Sequence, residues 1–207
     1  MNKFYFKQMT CAIVLILAIV LVIAHETQVA NAESEIDVKT SIPDEQFTIG
    51  IPKLWSEKIF FDSQNRRVYA FWENGNAITI AVKKITYESY KKTLKELENM
   101  NDKKLAEMEN SGKKEVPSKL NVKLSLETVA NQKAFVQTYV ERQESLGKVM
   151  YIGSKTYDFV YNGSNNSFEY RISISAMPAN NESNASKNFS DAFEKYFRPI
   201  IISFFPR

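Results

Sequence analysis

Arg67-Val-Tyr-Ala-Phe-Trp-Glu-Asn-Gly-Asn-Ala-Ile-Thr-Ile-Ala-Val-Lys-Lys-Ile85 contains two alternating apolar segments joined at Asn74-Gly75-Asn76. Asn-Gly supplies the positive φ angles of a tight hairpin turn, so residues 67–73 and 77–85 read as an antiparallel pair. Val68, Ala70 and Trp72 share one face of the first strand, and Tyr69 and Phe71 take the other. Apolar side chains on both faces require cover on both sides, which predicts a sheet between two layers.

Upstream, Phe47, Ile49 and Ile51 alternate with Thr48 and Gly50 before Pro52, the pattern of a half-buried strand that proline stops. Trp55 follows in a short turn and reads as a plug at the end of the core. Downstream the period changes. Tyr90, Leu94, Leu97, Leu105 and Met108 fall on one helical face, with Glu88/Lys92 and Lys103/Glu107 as i,i+4 pairs on the wet side. Asn101-Asp102 is placed to break this helix in two, and Gly112 to end it.

After Pro117 come four strand-like segments in meander order, 120–129, 133–143, 148–161 and 167–176, joined by turn residues around Asn131, Gly147 and Asn162 to Asn166. In the last of these, Phe168, Tyr170, Ile172 and Ile174 form the apolar face, leaving Glu169, Arg171, Ser173 and Ser175 wet or lightly covered. Residues 177–187, rich in Asn, Ser and Ala, read as a loop. A final helix follows on Phe189, Phe193, Tyr196, Phe197 and Ile200, with Pro199 expected to kink or end it.

The chain opens with Lys3 and Lys7, an unbroken apolar run from Ala12 to Ala24, and small residues at Ala30 and Ala32. These are the three parts of a secretory signal, cleaved after Ala32. A run this short falls below the roughly 20 residues that span a bilayer as a helix, although residues 9–24 could serve as an anchor if retained. The expected organisation is therefore a signal peptide at 1–32, a flexible tether at 33–44 and a single globular domain at 45–207.

The leader holds the chain's one cysteine, Cys11, and its one histidine, His25. Cleavage leaves a cysteine-free domain without imidazole bases, thiol nucleophiles or disulfides, so the usual zinc and triad chemistries are unavailable. Without Lys3, Lys7 and Glu26 the chain carries 25 basic and 23 acidic residues. This near balance gives no support for nucleic acid as a partner. Membrane contact is expected only through the N-terminal segment if uncleaved. Neither a glycine-rich phosphate loop nor a calcium loop occurs, so no cofactor or metal is expected. Asp158, between Tyr157 and Phe159, is the one acid in an apolar context and reads as a structural hydrogen-bond partner. Asn162, Asn165, Asn181, Asn184 and Asn188 each begin an N-x-S triplet, a glycosylation signal in a eukaryote that Asn/Ser-rich loops more often produce by coincidence.

The order of elements, with Phe47-x-Ile49-x-Ile51-Pro52-x-x-Trp55 at the start, the turn at Asn131 and Ser203-Phe204 at the end, resembles the PsbP-like superfamily. That family includes an extrinsic photosystem II subunit, a Ran-binding nuclear import factor and bacterial exported proteins of unassigned role. The resemblance covers residues 47–204. It implies an α+β fold, an α/β/α sandwich on an antiparallel sheet of six to seven strands with helices on both faces. It carries no function across, because its members bind different things.

Tyr69, Phe71, Tyr139, Tyr151, Tyr157 and Tyr170 form the candidate binding set, a groove on one sheet face, with core packing as the competing explanation. The leading functional expectation is a noncatalytic, extracytoplasmic binding or accessory protein of the cell envelope, its partner a protein or small ligand. An enzyme using carboxylates and tyrosines in a cleft is one alternative, and a membrane-anchored structural protein retaining the apolar run is another.

Overall fold

The computed structural model describes residues 38–40, 47–115, 118–145 and 147–207. The expected signal peptide, its Ala30/Ala32 cleavage site, Cys11 and His25 lie outside the described residues.

Seven antiparallel strands make the main sheet, in the order β4 (Ser56–Phe61), β5 (Arg67–Glu73), β6 (Asn76–Ile85), β10 (Ser167–Ser175), β9 (Lys148–Asn162), β8 (Gln132–Ser145) and β7 (Lys119–Val129). The Asn74-Gly75 hairpin forms as its residues require: Asn74 has φ 50° and Gly75 φ 77°, the left-handed pair of a turn that matches strand twist. Ala130 and Asn131, with φ 49° and 62°, do the same between β7 and β8. Two small ribbons complete the strands: β1 (Val38–Thr40) pairs with β3 (Gly50–Pro52), and β2 (Phe47–Thr48) pairs with β11 (Phe205–Pro206). Part of the segment read as a tether is thus strand β1.

Helix α1 (Tyr87–Glu98) starts at Thr86, whose hydroxyl accepts the Ser89 N–H at 3.1 Å. Asn101 separates it from α2 (Asp102–Glu115), its side chain accepting the Lys104 N–H at 3.0 Å. The expected break at Asn101-Asp102 is therefore present, and its cause is capping. Gly112 does not end α2, which runs on to Glu115; a single glycine weakens a helix without by itself stopping it.

Two further expectations are corrected. Strand β4 occupies a stretch where no element was expected, because its Ser56-Glu57-Lys58-Ile59-Phe60-Phe61 sequence shows no clean alternation. The expected loop at 177–187 is half helix. Asn181 caps α3 (Glu182–Ala192) by accepting the Asn184 N–H at 2.8 Å, so the polar residues begin the helix instead of excluding it. A π-helical turn at Phe193–Phe197 leads into α4 (Arg198–Ser203). Pro199 sits in the first turn of α4, and the helical path runs from the π-turn through it.

One core cluster joins Tyr69, Phe71, Tyr157, Phe159 and Tyr170 on one sheet face to Phe197, Ile200 and Phe204 of the C-terminal segment. Phe47 seals it, 4.9 Å edge-on to Tyr69 and stacked at 5.3 Å on Phe204. Each such buried aromatic contributes about 1.5–3 kcal/mol. Trp55 plugs the end as expected, against Tyr196 and Phe197. Leu97 of α1 and Leu105 of α2 are buried outside this cluster, as is Val160 on the other face of β9. Helix α1 lies along β8–β10 and α2 along β7. The fold is α+β, an antiparallel sheet with helices packed on it.

Candidate functional site

Four of the six aromatic residues expected to line a groove, Tyr69, Phe71, Tyr157 and Tyr170, are fully buried under α3 and α4. They are core, and packing explains them. Tyr139 is also buried, but on the opposite face, since its strand neighbour Val136 pairs with Tyr157 on the core side. Tyr151 is half-buried near the start of β9, its backbone exchanging hydrogen bonds of 2.9 and 2.8 Å with Ala179. The structure does not bring the six to one surface.

Around Tyr139 lies a row of polar groups that crosses four strands. Lys119 of β7 donates to Gln137 Oε1 at 2.9 Å and sits 3.9 Å from the Tyr139 ring centroid. Burial lowers the Lys119 ammonium to about 8. The same desolvation raises the Glu141 carboxyl and the Tyr139 phenol, although Thr156 hydrogen-bonds to the latter. Farther along, Arg171 donates twice to Asp158, at 2.6 and 3.2 Å, and Asp158 holds the guanidinium charged. Asp158 thus has the structural role expected of it. Each charge in the row has a counter-charge on a neighbouring strand, which makes the row a cross-strand network holding the sheet.

A solvent-facing groove opens elsewhere, where the end of β6, the start of α1 and the β9–β10 loop meet. Its volume is about 360 Å³, and it is lined by Lys84, Ile85, Tyr87 and residues 162–167. Pairing of Ile85 with Ser167 fixes the two sides. The loop is braced from within: Ser167 Oγ donates to Asn162 Oδ1 at 2.7 Å, and the Gly163 N–H donates to Asn166 O at 2.9 Å. Gly163 packs closely on the chain's last residue, since a Cβ there would stand 3.1 Å from the Arg207 carbonyl oxygen.

Tyr87 is the first residue of α1 and is 53% exposed, so its ring faces solvent at the groove. It is held by stacking on Tyr90, 5.9 Å between centroids and 18° between planes, with Lys91 Nζ 4.6 Å from its centroid. The lining therefore offers amide donors and acceptors from Asn162, Asn165 and Asn166, hydroxyls from Ser164 and Ser167, one ammonium and one exposed ring. These groups can hydrogen-bond and stack, and no carboxylate stands among them. Sequence reading treated residues 162–166 as a turn and gave Tyr87 no role, since nothing in the chain marks which exposed ring borders a loop distant in sequence.

No group of three or more His, Cys, Asp or Glu among the described residues could hold a metal ion. No described helix is long and apolar enough to cross a membrane. No family model matches the chain, and no curated protein does. Among solved structures, LpqN of Mycobacterium tuberculosis, a protein described as involved in cell envelope biogenesis, aligns over 84% of this chain and 92% of its own, with 10% identity and a TM-score of 0.39. A likeness at that level carries no argument about function.

Proposed function

We propose that the chain is an exported, noncatalytic binding protein of the cell envelope, and that the groove at Tyr87 and residues 162–167 takes a polar, hydroxyl-rich ligand, a saccharide by class. One observation carries the binding reading: the groove is lined by amides, hydroxyls and an exposed tyrosine ring, with no carboxylate in it. Sugar hydroxyls pair with side-chain amides, which donate and accept at once, and the C–H face of a pyranose stacks on a phenol ring. The three-part leader before Glu33 supports the location.

Isothermal titration of the purified chain with soluble oligosaccharides from bacterial and archaeal envelopes tests this reading. Binding is expected for at least one, weakened up to about tenfold by Tyr87→Ala, the loss set by one aromatic stacking contact. Binding that Tyr87→Ala and Asn165→Ala leave unchanged, or no binding by any sugar tested, would overturn it.

A further inference from the structure

The sheet's two edges are finished in different ways. On β7, the outward Leu124 N–H donates to Glu109 Oε1 of α2 at 2.5 Å. A register shift between Leu120 and Lys123, with Asn121 at φ 52°, bends the same strand. A side-chain cap, a bulge and a covering helix are the devices that keep an edge from pairing with another chain. Among the described residues β4 shows no bulge and no side-chain cap, and its charged residues, Glu57 and Lys58, stand in its first half. It ends the sheet, and among the described residues no strand pairs with its outer side. It displays Ile59 at 48% and Phe61 at 64% exposure, with Leu54 at 72% just before it.

The backbone of β4 is set for pairing as well. The Asp62 N–H donates to Arg66 O at 3.0 Å, closing the hairpin to β5. Antiparallel ladders alternate, so Asp62, Phe60 and Lys58 turn their polar groups toward β5, and Phe61, Ile59 and Glu57 turn theirs outward. The outward backbone groups and the exposed apolar side chains therefore belong to the same two residues, Ile59 and Phe61.

We propose that β4 is the association edge of a homodimer in which two sheets join as one antiparallel sheet across a two-fold axis. Such an axis stands perpendicular to the sheet and preserves its faces, so odd residues must face odd ones. Setting Ile59 opposite Phe61 of the second copy satisfies this: both pairs exchange N–H and C=O groups, and the four apolar side chains meet on one face. On the other face Phe60 meets its own copy and Lys58 stands across from Asp62, whose carboxylate is held by Arg66; on the Ile59 face Glu57 stands across from Ser63. No like charges face each other, which favours a second copy over an acidic or basic partner.

Sedimentation velocity of the purified chain over a range of concentrations tests the proposal, beside Phe61→Glu and Ile59→Lys, both at exposed positions. The expected result is a concentration-dependent dimer that both variants reduce to monomer, with circular dichroism unchanged. Amide exchange at Ile59 and Phe61 should slow as the wild-type protein is concentrated, and should not in the variants. A wild-type monomer at every concentration, a dimer that survives both substitutions, or growth beyond a dimer would each overturn the proposal.

Discussion

Gly153 lies where β9 passes beneath α3, and the helix sits so close that a Cβ would come within 2.4 Å of the Phe189 Cβ and 2.7 Å of the Ala185 carbonyl oxygen. Neither neighbour can rotate away, since one is rooted in the helix and the other is its backbone. Gly153→Ala should therefore lift α3 and cost about 1–3 kcal/mol, read from the urea midpoint. Lys119 makes a different kind of prediction. Its folded pKa is about 8 against an ordinary 10.5, so between these values the unfolded chain binds more protons than the folded one. Stability should rise with pH through that window, by up to about 1.4 kcal/mol per pH unit. The clean reading is from pH 8 to 10, because above that burial of Tyr139, whose ionisation the fold opposes, works the other way. Lys119→Met should flatten the slope in chemical denaturation at stepped pH; an unchanged slope would show that Lys119 is not its source.

At the scale of elements, local chemistry made most of the structure legible in the sequence. The Asn74-Gly75 turn, the four-strand meander and the break at Asn101 follow from turn residues, alternation and capping. Two elements were hidden because their signals point elsewhere. In β4 both faces carry mixed residues, since an open edge strand has no buried face to impose alternation. In α3 the Asn and Ser residues that suggest a loop also serve as its cap and first turn. Asn181→Ala tests the cap. It should cost about 1 kcal/mol by thermal or urea unfolding, whereas no loss would mean that packing on β9 alone sets where the helix begins.

For the molecule as a whole, the aromatic residues singled out as a binding set show why a site is harder to read than a fold. Tyr69, Tyr157 and Tyr170 satisfy the composition of a binding surface and of a core equally well, and only the C-terminal segment folding back over them decides between the two. Asp158 was legible because an acid between aromatic neighbours on a strand needs a partner, and Arg171 on the adjacent strand supplies it. Tyr87 was not, because the loop across the groove from it, residues 162–167, is distant in sequence and comes beside it only through the pairing of β6 with β10. The central claim is that this groove binds a ligand. Chemical-shift mapping of the isotope-labelled protein during titration with an envelope oligosaccharide tests it most directly. The expected result is a set of shifts confined to Lys84, Ile85, Tyr87 and residues 162–167; saturable shifts that fall elsewhere, or none at all with any oligosaccharide tested, would contradict it.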